Sequence, residues 1–191
     1  MDKATEMYME KLLQKTTYLS HILTSQVGEL FRRFDQQYVQ SMGVSDIVPD
    51  FCHTEAFDTP ETKEETLETN PKELLNLAYS ILGSYNDTLH HLVDEMSIMQ
   101  GNTSALLIKA RQIQQKFIDL MYGVKLMLIV MEEQNNAFFA PWSGESSLQL
   151  HNADERTLYI YNLIRCVFRD VRKISTFIEI VKYQMTNQMN C

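Results

Sequence analysis

Glycine and proline are scarce, at six and four among 191 residues. A turn-rich all-β sandwich needs more of both, so the shortage points to long helices. Basic charge is also short. Lys and Arg total 17 against 25 Asp and Glu, a net charge of −8, which argues against a nucleic-acid binder. No apolar run approaches the roughly 18 residues of a transmembrane helix, so no membrane insertion is expected. The three cysteines, Cys52, Cys166 and Cys191, are too few for a disulfide-dense miniprotein and too far apart for a zinc finger. If the chain is secreted, the simplest count is one bridge and one leftover thiol. The opening Met-Asp-Lys-Ala-Thr-Glu lacks a basic end leading into an apolar stretch. It therefore reads as a cytosolic start or as a mature chain already relieved of its signal.

Catalytic and metal patterns are missing too. There is no phosphate-cradling glycine loop. Cys52-His53 has no glycine-rich turn before it, and neighbours on an extended segment point apart, so it is not read as a nucleophile with its base. His90 and Asp94 stand one helical turn apart, but no third ligand is evident and a surface pair is the simpler reading. Glu64-Glu65 and Glu132-Glu133 read as solvated charge. No enzyme, metal or cofactor is expected.

The composition is 45% hydrophobic and 22% charged, that of a chain that buries a core. Four apolar stripes recur at three- and four-residue steps, predicting helices over about 5–40, 71–100, 104–134 and 154–184 of a single domain, 1–191. Leu12, Thr16, Leu19, Leu23, Val27, Leu30, Phe34 and Tyr38 mark the first helix. Leu74, Ile81, Tyr85, Leu89 and Met96 mark the second, which Asn70-Pro71 opens as cap and first turn. Ile113, Phe117, Leu120, Val124 and Met127 mark the third, and Ile160, Ile164, Val167, Val171, Ile174, Ile178 and Val181 the fourth. The links are about 30, a few, and about 18 residues long. Two long crossovers around one short link permit an all-α, up-up-down-down, long-chain four-helix bundle of the cytokine kind.

Charge is uneven along this frame. Residues 51–73 hold seven acids and two lysines. The fourth helix carries Arg165, Arg169, Arg172 and Lys173, the three arginines on one face, which reads either as a solvated surface or as a contact patch. Two glycosylation sequons, Asn86-Asp87-Thr88 and Asn102-Thr103-Ser104, complete the motifs. Asn102 falls in the expected turn between the second and third helices. Asn86 falls within the second, beside the buried Tyr85.

Leu19-Ser20-His21, Glu29-Leu30-Phe31 and Phe34-Asp35 resemble the first helix of the prolactin–growth hormone–placental lactogen family. Cys52-His53-Thr54 with Thr59-Pro60-Glu61 resembles its first crossover, and His91-Leu92-Val93 with Glu95 its second helix. Trp142-Ser143-Gly144 with Ser147-Leu148-Gln149 resembles prolactin's second crossover. Tyr161-Asn162-Leu163, Cys166, Arg169-Asp170 and Lys173-Ile174 resemble its last helix. The order and spacing of these fragments cover all but the first dozen or so residues.

The resemblance implies a secreted hormone that acts by binding a class I cytokine receptor, and a Cys52–Cys166 bridge; the sequons at Asn86 and Asn102 add the expectation of glycosylation, and a monomer is expected. It implies a first receptor face of helix 1, the first crossover and helix 4, carrying His21, Tyr161, Arg165, Arg169, Arg172 and Lys173. A second face joins helices 1 and 3 around Gly123. The departures are as informative. The usual partner of Cys191 is replaced by Tyr183, which leaves Cys191 a free thiol. Arg165 replaces a prolactin histidine, Phe168 an arginine, and Thr24 a second helix-1 histidine. These changes imply a non-classical, placental or decidual paralogue. The alternative is an extracellular binding protein that uses the helix-4 basic stripe to hold sulfated glycan or another acidic partner.

Overall fold

The computed structural model describes residues 2–43, 51–100, 104–132, 137–142 and 152–189. Helix α1 runs Lys3–Phe34, capped by Asp2, whose carboxylate accepts the Thr5 N–H at 2.8 Å. The coil continues as a π turn, Asp35–Val39, and a 3-10 turn, Gln40–Met42, and stops at Gly43 with φ +63°. A further 3-10 turn, His53–Ala56, and a short helix, α2 (Lys63–Glu68), lie in the first crossover. Thr62 and Glu65 close a capping box at the start of α2. Then come α3 (Pro71–Ser84), α4 (Asn86–Gln100), α5 (Ala105–Val130) and α6 (Ala153–Met189).

Paired residues set the helix directions. From α1 to α6, Ser20 meets Ser175 at 3.1 Å and Phe31 meets Tyr161, so these helices are antiparallel. From α1 to α5, Thr16 faces Gly123 and Glu29 holds Lys109 at 2.6 Å, again antiparallel. Tyr85 reaches Asp170 and Glu95 pairs with Arg156, which sets α3 and α4 against α6 in the same sense. Hence α1 and α3–α4 run one way and α5 and α6 the other, the expected up-up-down-down bundle. Each helix buries the stripe that its periodicity marks. Val27, Ile174, Val124 and Leu74 are all fully buried, and Tyr85, Phe34 and Phe177 are the largest enclosed side chains.

Two expectations are corrected. The single second helix, 71–100, is two helices broken at Tyr85. The Tyr85 phenol turns inward to Asp170, and the carbonyl and hydroxyl of Ser84, just before the break, find tertiary partners. His53 Nε2 donates to the Ser84 carbonyl at 3.0 Å, and the Ala140 N–H donates to Ser84 Oγ at 2.8 Å. The fourth helix also runs past 184 to Met189. Met185 is buried there, and Gln184 anchors it by donating to the Leu67 and Thr69 carbonyls at 2.9 and 3.0 Å.

Candidate functional site

The site grows from one buried carboxylate. Asp170 stands in the buried register of α6, 1% exposed, where an unpaired charge would be costly. Its Oδ2 accepts the Tyr85 hydroxyl at 2.6 Å and the Thr54 hydroxyl, and its Oδ1 accepts Arg169 Nε at 2.9 Å. Arg169 extends the network outward, donating to Glu55 at 3.0 Å and to Thr54 at 3.1 Å. Burial, helped by the Asp170 charge, pushes the Tyr85 phenol well above its usual range, so it stays a donor. Burial pulls His53 below the ordinary histidine value, so it sits neutral against the Ser84 carbonyl and edge-on to Tyr85.

This network fastens the first crossover to α6, and covalent and polar ties extend it. Cys52 and Cys166 form a disulfide with Cα atoms 5.6 Å apart, closing a loop of 114 residues in sequence separation. Asn162 donates to the Phe51 carbonyl at 2.8 Å, and Lys173 Nζ to Thr59 at 2.8 Å. The crossover thus becomes a fixed part of one composite face with α1 and α6.

The basic stripe takes a divided form. Arg169 and Lys173 direct their heads onto the crossover, and Arg165 donates to Asn162 at 2.7 Å. Arg172 is exposed, its guanidinium 5.6 Å from the Phe168 ring centroid. It ends a ladder in which Phe31 stacks on Tyr161 at 5.1 Å and on Phe168 at 5.9 Å. The Tyr161 phenol is raised by partial burial and then by the Asp35 carboxylate it hydrogen-bonds. His21 is exposed and pairs with Glu179. Phe51, at the crossover edge, is 66% exposed.

Phe31, Phe51 and Phe168 are members of this face that the periodicity of buried stripes passes over. The signal for Phe168 was a second stripe on α6, Tyr161, Arg165, Phe168 and Arg172, at steps of four, three and four residues; no such stripe marks Phe31 or Phe51. Asp170, standing in register with buried Val167, Val171 and Ile174, signalled the enclosed network.

Gly123 is buried on α5, packed against α1. A Cβ there would sit 2.8 Å from Thr16 Oγ1, so glycine lets α1 and α5 close up. Tyr18 and Tyr122, near this contact in sequence, are 65% and 61% exposed. Asn86 differs from the mid-helix placement expected for it. The break at Tyr85 sets it at the start of α4, exposed. Asn102 and Cys191 lie outside the described residues. His90 and Asp94 form an exposed pair at 3.6 Å, and no metal-holding cluster occurs among the described residues.

Comparison with known proteins agrees with this architecture. The model of the somatotropin hormone family matches residues 1–191. Prolactin-2B1 of Mus musculus is 46% identical over 183 residues, covering 96% of this chain and 80% of that protein. Prolactin-2B1 of Rattus norvegicus is 46% identical over 190 residues, covering 100% and 83%. Prolactin-2A1 of Mus musculus is 34% identical over 184 residues, covering 95% and 81%.

Proposed function

Because this chain belongs to the somatotropin hormone family, we propose that it acts by binding a class I cytokine receptor through the α1–crossover–α6 face. As a family member it is a hormone and not an enzyme. Hormones of this family are secreted and bind class I cytokine receptors, and no described helix is long and apolar enough to cross a membrane. The finer reading is that this chain is a secreted monomer whose first receptor contact is centred on Tyr161 and Arg172. A placental or decidual source belongs to the same proposal and rests on the family resemblance.

The aromatic ladder ending in Arg172 carries the reading. Interface hot spots are enriched in Tyr, Trp and Arg held on rigid supports, and this ladder is braced by the disulfide and the Asp170 network. Arg169 and Lys173 support the face by holding the crossover, while His21 and Arg165 stand at its edges. The second face, at Gly123, would recruit a second receptor chain.

The test is equilibrium binding of the oxidised protein to a prolactin-receptor ectodomain, with prolactin as control. Binding is expected, with Tyr161→Ala and Arg172→Ala each weakening it about tenfold or more, the hot-spot scale. Absence of binding by a helical, disulfide-bonded chain would exclude this receptor. Undiminished binding by both variants would exclude this face.

One observation favours a second reading. A shallow cavity of about 410 Å³ is lined by Thr24, Arg169, Arg172, Lys173, Ser175 and Thr176, cations beside hydroxyls that suit a sulfate group. Salt-sensitive retention on a sulfated matrix, lost in a charge-neutral Arg165/Arg169/Arg172 variant, would support a glycan-binding role. Equal retention of that variant would dismiss it.

A further inference from the structure

The helix break at Tyr85 exposes Asn86 beside a cavity of about 590 Å³. Its walls include Gly83, Asp87, His91, Phe139 and Trp142. Cavities of about 300–1,000 Å³ commonly hold small molecules. Gly83 shapes this one, since a Cβ there would collide with the Phe139 ring, and the Ser84–Ala140 bond holds residues 137–142 over the break. The Trp142 ring leans on His91 with centroids 5.6 Å apart. An aromatic wall next to a carboxylate and an imidazole matches a sugar ring, which offers apolar C–H faces to stack and hydroxyls to hydrogen-bond.

Asn86 is the asparagine of a sequon. Its amide donates to Asp87 at 3.2 Å, a bond between two exposed neighbours. Thr88, the third sequon residue, is fully buried and lies 3.4 Å from the Ser84 carbonyl. Any transfer therefore precedes closure of this segment, and the finished fold must seat the product.

We propose that Asn86 carries an N-linked glycan whose first N-acetylhexosamine folds back into this cavity and packs against Trp142. In the transfer, a bond forms between Asn86 Nδ2 and the sugar C1. The C1–O bond to a lipid-linked diphosphate donor breaks, and the displaced amide proton leaves with the diphosphate. The inference rests on the secretory route in the reading above.

Trp142 is the single tryptophan of the chain, so its fluorescence reports the cavity directly. The Asn102→Gln protein, secreted from mammalian cells, would be compared as the full glycoform, as the form trimmed to one sugar, and with Asn86→Gln added. Intact mass gives occupancy. Acrylamide quenching of Trp142 is expected to be about twofold weaker in both sugar-bearing forms, because the sugar covers the ring. Trp142→Leu is expected to speed enzymatic removal of the native glycan several-fold. A bare Asn86 in secreted protein overturns the inference, as does equal quenching in all three forms or an unchanged removal rate. Receptor binding measured on the same preparations separates the two readings. Binding with a bare or unpacked Asn86 overturns this inference alone, and a packed glycan without binding overturns the receptor reading alone.

Discussion

Gly123→Ala tests how tightly α1 and α5 are joined. In an ordinary helix interior this change stabilises by about 1 kcal/mol, because alanine is the better helix former. Here the new methyl would lie 2.8 Å from Thr16 Oγ1 and 3.4 Å from Thr16 Cγ2. Thr16 is 1% exposed, so its branched side chain cannot swing into solvent. Overpacking of this kind costs about 1–3 kcal/mol, so the net effect is a loss of up to about 2 kcal/mol. Thr16→Ala removes both crowding atoms and leaves the Thr16 Cβ at 3.6 Å, an ordinary contact. In that background Gly123→Ala is expected to stabilise by about 0.5–1 kcal/mol, the propensity gain alone. The coupling in a double-mutant cycle is then about 1–3 kcal/mol. Urea unfolding of the oxidised protein, followed by far-UV circular dichroism, measures all four corners. Additivity within about 0.5 kcal/mol would refute the packing argument. The outcome also governs Gly123→Arg, which is expected to keep first-face binding and lose signalling. Its longer side chain begins with the same Cβ, so its loss of signalling speaks for the second face when first-face affinity is unchanged.

Tyr85→Phe keeps the ring in the core but deletes a hydrogen bond to the Asp170 carboxylate, and is expected to cost about 1.5–3 kcal/mol in urea unfolding; a cost below about 0.5 kcal/mol would mean the network is not what holds the break. His53 gives a pH signature. Its folded pKa lies below the ordinary value of 6.5, so its stabilising contribution is present above that pH and is lost as pH falls through the folded pKa. His53→Gln should flatten the melting temperature in that window, and an unchanged slope there would count against a buried neutral imidazole. Removing the disulfide with Cys52→Ser and Cys166→Ser is expected to destabilise by about 4–5 kcal/mol on the chain-entropy scale for a loop this long. A loss under about 1 kcal/mol would show that the polar ties alone hold the crossover.

The helices were legible because each apolar stripe repeats over many turns. Asn70-Pro71 announced the start of α3, and Asn70 does cap it, accepting the Lys72 N–H at 2.9 Å. The break at Tyr85 was not legible. Tyr85 keeps the stripe's register, and no proline marks the spot; the forces that open the coil come from Asp170, His53 and Ala140, distant in sequence. The short α2 was hidden in an acidic stretch whose Thr62–Glu65 capping box reads from sequence only when sought. The arginines of α6 were visible as a row. Which of them face outward depends on where the crossover lays Glu55 and Thr54, which take Arg169.

What the sequence determined by itself is whatever repeats locally: four amphipathic stripes and the pattern of one short link between two long ones. Helix periodicity and loop length are short-range quantities, so they survive reading in one dimension. What only the tertiary structure decided is which polar groups are spent inside. A buried charge must find its partners wherever the fold brings them, and Asp170 finds them on a crossover more than a hundred positions away and on the edge of a broken helix. That choice turns Arg169 and Lys173 inward and leaves Arg172 on the aromatic ladder at the surface.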